Sequence, residues 1–271
     1  MKSLFTAIFI ATVLFCVPQL NAQNLPPLAV ALKYDEAPDL KEWAQKAAEV
    51  SIEQYPFLVA MLDSEGFTPA DSITIIFREM EGVAHATRRE IHIAASWIRR
   101  RPDDIGMVVH ELIHILQAYG GRGREGNRVP MWVTEGIADY LRFFWYERNG
   151  DVTCRVNPDR ARYTDAYRTT AAFFDWIVRT QDAGFIKRLN AACRGGTYSI
   201  ELFQEYTGHT VDELWDKFIV SVREKAAAAN ANANANADAN EREMVLRVID
   251  ASTAASKSEN AAETVLRVRN R

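Results

Sequence analysis

Cysteine, surplus charge and long apolar runs are all scarce in this 271-residue chain. It has three cysteines, and Cys16 lies in the N-terminal apolar stretch, leaving Cys154 and Cys193 for the remainder. In an oxidising compartment these two either pair with each other or stay as unpaired buried thiols, and both readings stand. The 36 acidic residues against 32 basic ones leave a net charge of −4. That balance lacks the strongly basic surface of a nucleic-acid binder, so no nucleic-acid partner is expected.

Beyond residue 22 no stretch approaches the roughly 20 apolar residues that span a bilayer, so no stable membrane anchor is expected in the mature chain. The first 22 residues differ: Lys2 precedes an apolar run from Leu4 to Val17, then Pro18 and a polar stretch ending in Ala22. This reads as a signal peptide cleaved after Ala22, which makes the mature protein secreted or periplasmic. Phe15 stands before Cys16, where lipoprotein processing requires a small side chain, so lipid attachment is not expected.

What is present is an ordinary globular composition, 48% hydrophobic and 25% charged, that fits one main domain at 23–225. Residues 226–240 alternate Ala and Asn with no apolar face and read as a flexible linker. The tail at 241–271 is expected to be poorly ordered, and its two related segments starting at Glu243 and Glu263 are too few for a repeat array.

Strands are expected at Leu28 to Tyr34, Ser72 to Phe77 and Arg89 to Ala94, where β-branched and aromatic residues gather. Pro38 to Leu62 reads as a long helix with Trp43, Ala47, Val50 and Ile52 among its apolar positions, kinked or split by Pro56. A helix is expected from Pro102 and Asp103 to about Ala118, stopped by Gly120 and Gly121, and a second from Trp132 to Tyr146. Further helical patterns cover Asp165 to Thr180, Ala183 to Ala192, Ser199 to Tyr206 and Val211 to Ala226. The class is therefore α+β, a small mixed sheet followed by a mainly helical second half.

The first of these central helices carries His110-Glu-Leu-Ile-His114. Four residues on a helix turn about 40° beyond a full turn, so both imidazoles reach one metal ion, with Glu111 beside them. Zinc takes three protein ligands in a catalytic site and leaves a fourth position open. Glu135, on the next helix with 20 residues between it and His114, is the natural third ligand. Asp139 lies one turn further on the same face and is the alternative; a carboxylate so placed also suits the second ring nitrogen of His110. His85, His92 and His209 share no metal-ligand spacing and are left out. A metzincin reading fares worse, since that pattern places Gly and a third histidine where this chain has Gln117 and Gly120.

Several segments together resemble the plant and bacterial basic secretory protein family of peptidases, which is related to the thermolysin-like zincins. They are Ala37-Pro-Asp-Leu, Gly66-Phe-Thr-Pro, the His110 motif, Glu135-Gly-Ile-Ala-Asp-Tyr140, Tyr167 to Asp175 and Thr210-Val-Asp-Glu-Leu-Trp215, and the resemblance runs from about Leu28 to Val222. It implies a zincin-like metalloprotease fold, a Zn2+ cofactor, a protein or peptide substrate, and a zinc endopeptidase activity. It also implies the assignment of Glu135 as ligand and Asp139 as its neighbour's support. The acidic balance, with an isoelectric point near 5.8, and the Ala/Asn segment with its tail depart from the family pattern.

On that reading Glu111 is the general base, and a further donor must meet the developing oxyanion. Tyr167 is nominated, with Tyr163 as rival and a core role as the other reading of Tyr167. The sheet edge that pairs with an extended substrate is expected at Arg89 to Ala95, an internal strand being the alternative. The basic runs at Arg99 to Arg101 and at Arg122, Arg124 and Arg128 read as solvated faces. A catalytically inactive binding module for peptide or cell-wall material is the competing function, and the presence of Glu111 speaks against it. The sequence specifies no oligomeric state.

Overall fold

The computed structural model describes residues 25–119, 128–233 and 236. The proposed signal peptide and the whole tail at 241–271 lie outside them, as do Gly120, Gly121, Arg122 and Arg124. Among the described residues two compact units emerge, one holding those up to Arg155 together with Tyr163–Gly208, the other Val156–Arg162 with those from His209 onward.

The first unit is mixed α+β. Strands β1 (Ala29–Lys33), β2 (Ser72–Arg78), β3 (Ala84–Ala86) and β4 (Glu90–Ala94) form one sheet in the order β1-β2-β4-β3. β1, β2 and β4 run parallel and β3 is antiparallel to β4. β2 is buried at Ile73, Ile75, Ile76 and Phe77, side chains of both faces, as a covered internal strand should be. β4 is internal too, so the edge expected at Arg89 to Ala95 is instead β3, a strand of three residues.

Helix α1 (Lys41–Leu62) runs unbroken through Pro56, so that proline does not split it. Its buried stripe is Ala44, Ala47, Ser51, Tyr55, Leu58, Val59 and Leu62, rotated from the expected one, and Ile52 is 46% exposed. Tyr55 fixes this rotation in part by donating its hydroxyl to Ala70 O at 2.8 Å. After the short α2 (Ala95–Arg100), helix α3 (Gly106–Gln117) is buried at every position except His114, the mark of a helix enclosed by the fold. It starts three residues later than Asp103 and without a side-chain cap, the Asp104 carboxylate being taken by Trp97 Nε1 at 2.9 Å and by Arg142. It ends at Ala118, which holds the left-handed conformation at φ 47°.

Helix α4 (Met131–Tyr140) continues into a wider π-helical turn, Leu141–Tyr146, followed by the single turn α5 (Gly150–Thr153). Then come α6 (Tyr167–Thr180), α7 (Phe185–Gly195) and α8 (Leu202–Thr207). α4 and α6 approach closely at Gly136, where a Cβ would sit 2.4 Å from Thr170 Cγ2. Trp132, Phe174, Phe185 and Phe203 stack into the core beneath them, with ring centroids 5.1 to 6.0 Å apart for the contacting pairs Phe185–Phe203, Phe174–Phe185 and Trp132–Phe174. Cys154 and Cys193 are buried and free, so the bridge does not form.

In the second unit a helix at 211–233 opens on a capping box. Glu213 Oε2 accepts the Thr210 backbone N–H at 2.8 Å, and Thr210 Oγ1 accepts that of Glu213 at 3.3 Å. The helix continues through 226–233, so the first part of the Ala/Asn segment is helical and not a flexible linker. Alanine, the strongest helix former, accounts for the extension. Among the described residues no helix is long and apolar enough to cross a membrane.

Candidate metal centre

Two buried helices supply the site. α3 carries His110 and His114 one turn apart, and α4 brings Glu135 and Asp139, also one turn apart, against them. His110 Nε2 lies 3.0 Å from His114 Nε2 and 3.1 Å from Glu135 Oε2, and His114 Nε2 lies 3.3 Å from the same oxygen. The other ring nitrogens face away. His110 Nδ1 donates to Asp139 Oδ1 at 2.7 Å, and His114 Nδ1 donates to Gln117 Oε1 at 2.8 Å. Gln117 is held in that orientation because its Nε2 donates to Thr134 O at 2.9 Å.

With both Nδ1 atoms committed as donors, neutral imidazoles present lone pairs at Nε2, and these converge with a carboxylate oxygen on one point. Three acceptors so close repel one another unless a cation lies between them. Donor atoms about 2.0 to 2.2 Å from a tetrahedral zinc stand about 3.3 to 3.5 Å apart, against 3.0, 3.1 and 3.3 Å here. The residues therefore fit a metal ion, and His110, His114 and Glu135 are the group able to hold one. Asp139 is not part of that triangle; it stands behind His110.

The electrostatics agree. Burial disfavours charge on His110, but the hydrogen bonds to Asp139 and Glu135 outweigh it and lift the imidazole to about 9. Burial likewise pushes Glu135 up, and the two histidines outweigh it, leaving the carboxyl at about 2. The site attracts positive charge, which a proton supplies when no metal does.

Glu111 is 6% exposed, and its Oε2 is buried without a hydrogen-bond partner. Burial raises its pKa, against the pull of His110 and His114. A carboxylate left unpaired in this way is costly and points to a missing polar neighbour. Glu111 lines a cleft of about 1600 Å³ with the three candidate ligands, and Tyr167 and His85 lie on its wall.

Tyr167 is 49% exposed, its ring nearly parallel to that of His110 with centroids 6.4 Å apart. Burial and then Glu135 and the other site carboxylates raise its pKa, so it keeps its hydroxyl proton. It stands on an unusual backbone: Ala166 has φ 62° and ψ −171°, and Tyr167 has φ 48°. Tyr163 packs instead on Trp132 at 5.2 Å and is absent from the cleft wall.

Gln117 and His85 were not singled out in the sequence. Gln117 had a signal, a polar residue one turn from His114 on an otherwise apolar helix. His85 had none, because what brings it to the cleft is the register of β3 on β4, which sets it opposite His92 with rings stacked at 4.8 Å. His92 and His209 take no part in the centre.

The model of the family BSP, described as peptidase of plants and bacteria, matches residues 34–218. The chain belongs to this family. The match holds the whole cleft, from Val83 to Thr169, and stops short of the Ala/Asn segment. Comparison with curated proteins finds no significant match. Membership places this BSP chain among proteins described as peptidases, and its His-His-Glu group is compatible with binding a metal.

Proposed function

We propose that this chain is an exported zinc-dependent endopeptidase of zincin-like fold. His110, His114 and Glu135 hold the metal, Glu111 is the general base, and Asp139 fixes the His110 ring. The observation that carries the reading is the convergence of three acceptor atoms beside an unpaired, buried Glu111 carboxylate in one open cleft.

Zinc, when bound, polarises the scissile carbonyl and makes a water acidic enough to attack at neutral pH. Glu111 accepts the proton of the attacking water and delivers it to the leaving amine, and burial tunes its basicity for both transfers. Asp139 accepts the Nδ1 proton of His110 and so keeps the ring oriented with its Nε2 lone pair inward. Tyr167 reaches the cleft with its hydroxyl protonated and donates to the developing oxyanion. β3, at the sheet edge, offers its backbone to an extended substrate in the strand-addition manner.

Export rests on the signal-like Met1 to Ala22, and the partner is a protein or peptide substrate. Metal analysis of the purified mature domain and assay of Glu111→Gln on a mixed peptide library test the reading together. One zinc per chain, cleavage by the natural protein and none by the variant is the expected result. Undiminished cleavage by Glu111→Gln, or full activity without zinc, would sink it.

A further inference from the structure

We propose that the cleft contains a carboxylate-recognising subsite centred on Arg168, so that the preferred peptide presents an acidic side chain or its free C-terminal carboxylate close to the scissile bond. The inference rests on the peptidase reading and adds the substrate class.

Among the described residues three guanidinium groups line the cleft, those of Arg101, Arg142 and Arg168. Arg142 is saturated: it donates to Asp104, and its Nε donates to Glu147 Oε1 at 2.8 Å. Arg101 has Asp103 at 3.9 Å. Arg168 is exposed on the cleft wall and, among the described residues, has neither an ion pair nor a hydrogen bond. It is nevertheless not a loose surface side chain. Its guanidinium carbon lies 5.1 Å from the centroid of the Phe143 ring, which also carries Arg142 at 4.6 Å. Contact with the buried ring restrains the guanidinium, and its N–H groups, which have no protein partner among the described residues, can grip a carboxylate with two parallel hydrogen bonds.

Position adds a second argument. Arg168 is the second residue of α6, where the helix macrodipole favours an anion and disfavours a cation. Helix stability does not account for an arginine there; a bound anion, attracted by both the guanidinium and the helix terminus, does. The left-handed backbone at Ala166 and Tyr167 brings this first turn to the cleft, so Arg168 directly follows the residue whose ring faces His110.

The other carboxylates of the cleft shape the expected preference. Asp104 and Glu147 are held by Arg142, and Glu135 and Asp139 by His110, but all keep that wall acidic. An acidic substrate group is therefore welcome at Arg168 and unwelcome elsewhere, which makes the preference one of position and not of overall charge.

The test is a peptide set in which Glu replaces Gln at each position on either side of the scissile bond, each made with a free and an amidated C-terminus. The natural protein should favour Glu over Gln in kcat/KM by about tenfold at one position near the bond, or favour the free over the amidated end by a like factor if the terminus is the source. Arg168→Ala should bring that ratio close to one, Arg168→Lys should keep part of it, and Arg168→Glu should turn it toward Lys-containing peptides. Fluorescence anisotropy of the same peptides on Glu111→Gln reads binding without turnover, so a failure of the peptidase reading leaves this test standing. No Glu/Gln or end-group difference in the natural protein, or a ratio that survives Arg168→Ala, overturns the subsite.

Discussion

Asp139 and Gln117 do the same job on opposite sides of the site, each accepting the Nδ1 proton of one histidine. Asp139→Ala is expected to lower zinc affinity by about 10 to 100-fold, and Gln117→Ala by less, since a neutral amide polarises the ring less than a carboxylate does. Competition against a chromophoric chelator measures both; unchanged affinity in Asp139→Ala would count against its assigned role. The free thiols allow a separate check. Burial raises Cys154 and Cys193 to about 12, so almost no thiolate exists in the folded protein at neutral pH. Alkylation of both should stay negligible between about pH 7 and 9 and proceed once denaturant exposes them. His110, His114, Glu135 and Asp139 were legible in the sequence because their partners lie one helical turn away, a distance that spacing encodes. Arg168 and His85 were not, since a positive-φ turn and a strand register bring them to the cleft, and neither leaves a periodic trace.

At the scale of elements, the fit between α4 and α6 determines how Tyr167 stands against His110 and how Arg168 meets the cleft. Gly136→Ala forces a methyl group to 2.4 Å from Thr170. It should destabilise the fold by about 1 to 3 kcal/mol, the usual effect of overpacking, read as a lowered denaturant midpoint. Ala166→Gly has the opposite sign for stability. Glycine holds φ 62° and ψ −171° without steric cost, so the protein should gain about 1 kcal/mol while turnover falls as Tyr167 loses its fixed position. A variant that is both less stable and equally active would contradict this account of the turn. The long helices were legible to within a few residues, because apolar periodicity locates their middles. Their ends were less so: α3 opens at Gly106 with no side-chain cap instead of at Asp103, and it closes on Ala118, a residue with no special preference for that conformation. β3 escaped notice because three residues carry no alternation worth reading.

Taken as a whole molecule, the described chain holds its fold without a disulfide, as its two described cysteines are free. Removing zinc with a chelator should therefore abolish cleavage and also lower the melting temperature. A ligand present at about 100 times its Kd contributes about 2.7 kcal/mol, and readdition should restore it. A melting temperature indifferent to zinc would argue against binding at the α3–α4 pair. The His110–Glu135 contact spans 25 positions of chain, and the segment between them includes the glycine- and arginine-rich stretch from Gly120. An ion joining those two residues is thus a cross-link as well as a reagent. Tying a loop of that length costs the unfolded chain entropy equivalent to about 3.5 kcal/mol if a coordinate bond restrains it as a disulfide does. On the proposed reading a chain built this way needs no covalent staple, and it becomes vulnerable to unfolding and to inactivation in one step wherever the metal is withdrawn.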